Sequence, residues 1–442
     1  MSNSSSSTVY LRLLGASLLA LSACSARGEA VVSNAPQAEI EAKTTPASLA
    51  EFAMAYQPNA NETGILASQD AVRKAPEDAM AYVSLAESFL VRKRETANAR
   101  YFGLASNAMS AARVISPNNT KVRTSAVQLL FSDHRFEEAA EETRKLIAVD
   151  AYNATAHLLL SDALVEQGQY DEAVEALENA NDISPDLRVY ARGSYLRWMD
   201  GDQEGSIELM VDAIKMGSLT KEAVAWCYVE LGMLYWHAND LANASKAADR
   251  AQKQLPDYPP TIELQARIAA SEGQHDQAIA LYQELVERRS TVAAFIALSE
   301  LLEKRGRSEE ARAARVSAEE LAVHDPLALA LHDARYGLNP TRTLSMAKQA
   351  VEERSNVYTR DAHALALLRD GQIAEALSAS GDKPTHGTLD ASIWLHRALI
   401  QAYANDAAAA NASLAKAIGI NPNVDAMLVA ELKATLKKDQ VL

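Results

Sequence analysis

The sequence predicts an all-α protein, a right-handed superhelical α-solenoid of about ten helix pairs. Three observations support this prediction: a composition dominated by Ala, Leu and Glu, few turn-forming residues, and small and large apolar residues that recur about every 34 positions. Only 17 Gly and 13 Pro occur among 442 residues, which suits helices better than the turns of a β-sandwich. The chain is about three times as long as a typical single domain, which also favours a repeat array.

The charge balance argues against one class of partner. The chain carries 43 basic and 58 acidic residues, a formal net charge of -15. Such a surface repels phosphate backbones, so no nucleic-acid partner is expected. A basic or neutral protein surface fits better, although an acidic exterior that only keeps the protein soluble is the alternative.

The first 24 residues have the layout of an export signal. One basic residue, Arg12, precedes a short apolar run that ends at Ser22-Ala23-Cys24, and this run is too short to span a bilayer. The four residues 21–24, Leu-Ser-Ala-Cys, resemble the lipobox of bacterial lipoproteins. The resemblance implies removal of residues 1–23 and a lipid on Cys24, where two or three acyl chains would anchor the protein stably. Cleavage to a free periplasmic protein is the alternative.

Residues 24–61 are rich in Ala, Ser, Thr, Pro and Asn, with a short helix near Pro46 to Tyr56 as their one apolar feature. This composition predicts a flexible tether. Lipoproteins held in the inner membrane carry Asp after the lipidated Cys, and here Ser25 follows it. The resemblance therefore implies the bacterial cell envelope in a Gram-negative host, at the periplasmic face of the outer membrane.

The repeat is clearest from residue 225 onward. One copy contains Tyr228, Leu231, Gly232, Tyr235, Ala244, Ala248, Ala251 and Pro256. Thirty-four residues later come Ile262, Ala266, Ala269 and Gly273, followed by Ala278, Tyr282 and Leu285. Small residues allow two helices to approach closely, Gly suits a left-handed helix cap, and Pro ends a helix.

This period and order of slots resemble the tetratricopeptide repeat. Weaker copies keep the same step, and the resemblance covers roughly residues 64–425. It implies stacked helix pairs with a concave inner surface, because no single pair buries its apolar face alone. We therefore divide the exported chain into a tether over 24–61, a superhelix over 62–425 and a C-terminal capping helix over 426–442.

The sequence offers no pattern typical of catalysis. Nine His residues are scattered without a metal-binding spacing, and neither a phosphate-binding Gly-rich loop nor a Gly-x-Ser-x-Gly elbow occurs. Cys227, between Trp226 and Tyr228, is predicted to be a buried and inert thiol. We therefore predict no enzyme activity, no metal site and no cofactor, since a hydrolase would need a nucleophile and base that the pattern does not supply.

One cluster of residues predicts a partner-binding surface. In tetratricopeptide repeats the first helix of each pair lines the groove, and three of the four Trp residues fall within two neighbouring copies. The residues predicted to face the groove are Arg192, Tyr195, Arg197, Trp198, Trp226, Met233, Trp236 and His237. Aromatic residues with Arg are frequent anchors of protein interfaces. The alternative is that these rings pack between helices and that the inner wall is filled by the chain itself.

The resemblance implies a scaffold that binds a protein or peptide partner in its concave groove, as an envelope adaptor or assembly factor. A chaperone-like component of an export or polysaccharide-secretion machine is the alternative. The sequence does not name the partner.

Overall fold

The computed structural model describes residues 45–96, 98, 100–218, 221–323, 326–381 and 387–438, and the regular elements in these ranges are 23 α-helices. The predicted signal segment, Cys24 and the tether as far as residue 44 lie outside the described residues. No helix in these ranges combines the length and the apolar character needed to cross a membrane.

Two helices precede the repeats: α1 (Pro46–Ala53) and α2 (Thr63–Lys74). The first helices of the ten pairs are α3 (Ala79–Thr96), α5 (Thr120–Ser132), α7 (Ala154–Glu166), α9 (Leu187–Met199), α11 (Lys221–His237), α13 (Pro259–Ser271), α15 (Val292–Lys304), α17 (Leu327–Tyr336), α19 (Val357–Arg369) and α21 (Ala391–Tyr403). Their partners are α4 (Arg100–Ile115), α6 (Phe136–Val149), α8 (Tyr170–Ile183), α10 (Gln203–Met216), α12 (Leu241–Gln254), α14 (His275–Arg288), α16 (Ser308–Leu321), α18 (Pro340–Glu353), α20 (Ile373–Ala379) and α22 (Ala407–Ile420). The last helix is α23 (Ala426–Lys438).

Helices pack on their partner in the pair and on the next pair, so the core runs along the array. The arrangement confirms the predicted all-α superhelical solenoid. The small slots explain the close packing within a pair. A Cβ atom added at Gly232 would lie 2.4 Å from a methyl carbon of Leu264 and 3.4 Å from the carbonyl oxygen of Ala244. The absence of a side chain at position 232 therefore leaves room for the Leu264 side chain where α11 meets both α12 and α13.

The turns within pairs follow from a glycine cap. At the end of α7, Gly168 has a φ of +71°, its N–H donates to the Val165 carbonyl, and the Gln169 N–H donates to the Leu164 carbonyl. These two bonds form a Schellman motif, which satisfies carbonyls left unpaired at the helix end. The equivalent glycines also have positive φ angles: Gly273, Gly306 and Gly371.

Helical packing begins inside the segment that composition assigns to the tether. Leu49 and Ala53 of α1 are buried, and α1 packs on α4. The hydroxyl groups of Tyr56 and Tyr101 donate to the buried carboxylate of Glu62 at 2.8 Å and 2.7 Å. Burial of these apolar and aromatic groups offsets the ordering cost that the composition of the segment suggests.

The C-terminal helix α23 packs on α21 through Leu428 and Leu432, which are fully buried. Its Glu431 accepts hydrogen bonds from the Arg369 guanidinium and, at 2.8 Å, from the Tyr403 hydroxyl. The helix therefore covers the apolar face of the last pair with its own apolar side.

Candidate partner-binding surface

We call the face formed by the first helices α7, α9, α11 and α13, on which Tyr195, Trp198, Trp226 and Trp236 lie, the inner wall. On α11 the spacing of Trp226, Met233 and His237 places these side chains along one side of the helix. The inner wall has two parts that differ in exposure, one on α7 and α9 and one on α11 and α13.

On α9 Trp198 is buried and Tyr195 is half-buried. Trp198 is 2% exposed, and Tyr195 stacks on it with 5.7 Å between the ring centres. A side-chain hydrogen bond joins Tyr195 to Tyr358 of α19, and burial raises the pKa of both phenols well above the ordinary value. The Leu389 N–H donates to the carbonyl oxygen of Trp198 at 3.2 Å. The cover over α9 is thus part of the same chain.

The two predicted arginines have partners inside the protein. Arg192 is buried and donates from Nε to the carboxylate of Asp162 on α7 at 2.6 Å. Arg197 donates to the carboxylate of Asp202 at 2.8 Å, at the turn before α10. Both side chains therefore connect elements of the solenoid.

On α11 the aromatic residues remain partly exposed. Trp226 and Met233 are half-buried and pack against the neighbouring core. The Trp236 indole N–H donates to the Ser271 hydroxyl at 2.9 Å, and the Arg267 guanidinium lies 5.5 Å from its ring centre. The Trp236 ring therefore combines a hydrogen-bonded N–H with apolar surface that is partly exposed.

His237 stands where the two parts of the inner wall meet. Its ring centre lies 5.0 Å from the ring of Trp198 and 5.0 Å from that of Trp236. Burial lowers its pKa, although the charge of Asp390 opposes this effect. The side chain therefore acts mainly as packing between two tryptophans.

Charged residues that the sequence reading missed lie beside the exposed rings. Burial, and then the charge of Glu263, raise the pKa of Glu230 to about 8. The Oε1 atom of Glu230 has no hydrogen-bond partner among the described residues. Glu263 pairs with Arg267 at 2.7 Å. Burial raises the pKa of Glu263, but the Arg267 guanidinium lowers it, and the net effect is a decrease. The sequence could have identified Arg267 as a residue of this face, because it lies 34 residues after Met233 and occupies the same repeat position.

The cover over α7 and α9 comes from two segments of the C-terminal half. The Asn356 side-chain amide donates to the buried carboxylate of Glu166 at 2.8 Å, and the Val357 N–H donates to the Tyr170 hydroxyl at 2.9 Å. We call these two contacts, together with those of Tyr358 and Leu389 described above, the closure. Sequence periodicity gives no signal for it, because the pairs are nearly 200 positions apart.

The described residues show neither a metal cluster nor an activated thiol. No group of three or more His, Cys, Asp or Glu side chains in these ranges is placed to hold a metal ion. Cys227 is buried, and burial raises the pKa of its thiol to about 12. A thiol with so high a pKa is a poor nucleophile.

The helix pairs and their glycine caps define the class of helical-repeat solenoids. Residues 130–192 and residues 264–318 each match a family model of the tetratricopeptide repeat. Residues 130–192 and 264–318 are therefore tetratricopeptide repeats within the helical array. A comparison with curated proteins finds no matching sequence.

Several solved structures are similar in fold. A type IV pilus biogenesis factor, PilW, is 15% identical, with 47% of this chain and 94% of that chain covered and a TM-score of 0.40. Cut9 in the Cut9–Hcn1 hetero-tetramer of the APC/C is 14% identical, with 92% and 99% covered and a TM-score of 0.38. The human IFIT1 dimer is 12% identical, with 87% and 94% covered and a TM-score of 0.47. Similarity at this level carries no functional argument.

Proposed function

We propose that the chain is a lipid-anchored periplasmic scaffold that binds a protein or peptide partner along its inner wall, as an envelope adaptor or assembly factor. Tetratricopeptide repeats are generally non-catalytic scaffolds that bind protein or peptide partners. The part of the inner wall on α11 and α13 is the surface that we assign to the partner.

One observation carries this proposal: Trp226, Met233 and Trp236 share the inner face of α11 and keep part of their apolar surface exposed. Aromatic residues bury a large area on binding with few rotatable bonds to immobilise, which makes them effective anchors. Arg267 flanks the Trp236 ring and supplies a polar group for the edge of the contact. An extended peptide or a helix with an apolar face would suit such a surface.

The membrane anchor in this proposal rests on Leu21-Ser22-Ala23-Cys24. A lipid on Cys24 would hold the solenoid near the membrane and raise the local concentration of a partner there. The assignment to the periplasmic face of the outer membrane rests on Ser25 in place of Asp.

The binding surface can be tested by photocrosslinking in a Gram-negative host that makes the full chain. A photoreactive amino acid at Trp236 is expected to give discrete crosslinked species. The matched control places it at Tyr152, which is 83% exposed in the turn before α7 and away from the inner wall. Identical species at both positions, or none at position 236, would contradict the proposal.

The anchor can be tested by the mass of the mature protein and by fractionation. Lipidation predicts an acylated N-terminal residue at position 24 and recovery of the chain with outer membranes. The Cys24→Ser variant is expected in the soluble periplasmic fraction. An unmodified N-terminus in the unaltered chain would refute the lipid anchor and leave the binding proposal intact.

A further inference from the structure

We propose that the closure is an autoinhibitory contact, in which the chain's own C-terminal half occupies the part of the inner wall on α7 and α9. This inference rests on the proposed function, because it concerns the part of the inner wall that adjoins the surface assigned to the partner. A partner segment gains Tyr195 and Trp198 only after the closure opens.

The hydrogen bonds of the closure resemble those of a bound segment. Asn356 presents its side-chain amide to Glu166, and Val357 presents its backbone N–H to Tyr170. Tyr358 then adds a hydroxyl contact to Tyr195. An amide side chain, a backbone donor and an aromatic ring therefore follow each other along three consecutive residues, as in a peptide that lies across a groove.

The wall beneath this segment contains a buried carboxylate that contacts the closure. The Glu166 side chain is fully buried, and a buried carboxylate is costly unless a donor reaches it. In the closed chain the Asn356 amide is such a donor. A partner segment with a primary amide of Asn or Gln followed by an aromatic residue would reproduce these contacts.

The approach of the two halves depends on a glycine. A Cβ atom added at Gly168 would lie 2.5 Å from the carbonyl oxygen of Ser355, which is a backbone atom that must move to make room. At Gly201 an added Cβ would lie 3.2 Å from the Gly387 carbonyl oxygen. The closure therefore tolerates no side chain at the turn that follows α7.

The same turn in another repeat gives a matched control. Gly273 has a φ of +75°, close to the +71° of Gly168, but an added Cβ would meet no atom within 4 Å. Gly168→Ala and Gly273→Ala thus carry the same backbone strain, and the clash with Ser355 is specific to the first. Any difference between the two variants reports on the closure.

Hydrogen exchange measured by mass spectrometry on the full chain can detect opening. The amides of Val357 and Leu389 donate across the closure, so peptides that contain them report on it. We expect exchange at these positions to be at least tenfold faster in Gly168→Ala and unchanged in Gly273→Ala. Equal exchange in both variants overturns the proposal.

A second variant covers the case in which Gly168→Ala does not fold. Asn356→Asp keeps the oxygen that caps α19 and replaces the amide donor with an oxygen beside the Glu166 carboxylate. Its control is Asn119→Asp, because Asn119 caps α5 by accepting from the same two positions. Faster exchange at Val357 and Leu389 is expected in Asn356→Asp alone, and unchanged exchange there overturns the proposal.

The inhibitory role is tested with a defined probe, a labelled synthetic peptide of residues 353–369. We expect it to bind the Gly168→Ala chain at least tenfold more tightly than the unaltered chain or Gly273→Ala. A peptide with Asn356→Ala and Tyr358→Ala should lose this gain. If the reporter amides exchange faster but no variant binds the peptide, the wall does not accept an external segment and the proposal fails. Failure of the photocrosslinking at Trp236 would instead contradict the proposed function.

Discussion

Trp198 and Trp236 occupy the same position in two neighbouring repeats, yet one is core and the other is surface. Each is the next-to-last residue in the first helix of its pair. Trp198 is 2% exposed beneath Leu389, whereas Trp236 is partly exposed and bonded to Ser271. The position within the repeat therefore fixes the direction of a side chain. Whether that side chain is exposed to solvent depends on contacts from the distant half of the chain.

Charged groups are paired in both parts of the inner wall, since Glu263 and Arg267 of α13 also form an ion pair. On α9 the charge of Arg192 is paired with Asp162 inside the protein. On α11 the Glu230 Oε1 atom has no hydrogen-bond partner among the residues that the structure describes. The indole nitrogen of Trp198 on α9 likewise has no hydrogen-bond partner among those residues, so both parts of the inner wall contain a buried polar atom without a partner.

The largest expected effect is the loss of Trp198. Trp198→Ala removes a buried indole that stacks on Tyr195, and we expect it to lower the free energy of unfolding by about 3–5 kcal/mol. Trp236→Ala removes a partly exposed ring and should lower it by about 1 kcal/mol. Urea unfolding followed by far-UV circular dichroism measures both. Equal losses would show that the two positions have the same environment.

Disruption of the buried ion pair ranks next. Arg192→Met leaves the buried Asp162 carboxylate without its guanidinium partner and should cost about 3 kcal/mol. Arg188→Met, which disrupts the exposed pair with Asp186, should cost less than about 1 kcal/mol. The double variant Arg192→Met with Asp162→Leu should recover most of the loss in the same urea experiment. No recovery would mean that Arg192 stabilises the fold through packing.

The fold could be predicted in detail because the residues of each repeat determine how its two helices pack on each other and on the adjacent repeats. The 34-residue spacing located α11 and α12, and Gly232 fits the small slot that the pattern required. The positive φ angles at Gly168 and Gly273 agree with the predicted left-handed caps. These features are local, so periodicity is sufficient to find them.

The environment of the candidate site could not be predicted in the same way. The pattern predicted that Tyr195 and Trp198 lie on the face that lines the groove. It did not predict that Asn356, Tyr358 and Leu389 pack over this face. Small rotations accumulate from one repeat to the next, so contacts between distant repeats depend on many interfaces at once. The predicted role of these residues in partner binding stays a prediction.

A smaller effect should appear as a dependence of stability on pH. Burial and Glu263 hold the pKa of Glu230 at about 8 in the folded chain, against an ordinary value of 4.5. Between these values the unfolded chain releases the proton that the folded chain retains, so the stability contributed by Glu230 is complete below pH 4.5 and is lost as the pH rises through 8. Tyr258, Tyr358 and Cys227 also face this carboxyl group.

Glu230→Gln removes this titration. We expect the variant to exceed the unaltered chain in stability by roughly 2 kcal/mol at pH 8 and to match it near pH 4.5. The control Glu309→Gln, with a side chain that is 86% exposed, should show the same small difference at both pH values. Thermal unfolding at the two pH values tests this, and a variant that is less stable at pH 8 would contradict it.

The smallest expected effect concerns an exposed hydrogen bond between the two halves of the chain that lies outside the closure. The Asn423 side-chain amide donates to the Asn239 side-chain oxygen at 2.9 Å, and both groups are exposed. Water can replace this bond, so Asn423→Ala should change the free energy of unfolding by less than about 0.5 kcal/mol. It should also leave exchange at Val357 and Leu389 unchanged, whereas Tyr170→Phe, which removes the acceptor of the Val357 N–H, should accelerate exchange there. If Asn423→Ala accelerated exchange at Val357 and Leu389 as much as Tyr170→Phe does, the hydrogen bond between Asn423 and Asn239 would hold the two halves together. The burial of Trp198 would then depend on that exposed bond.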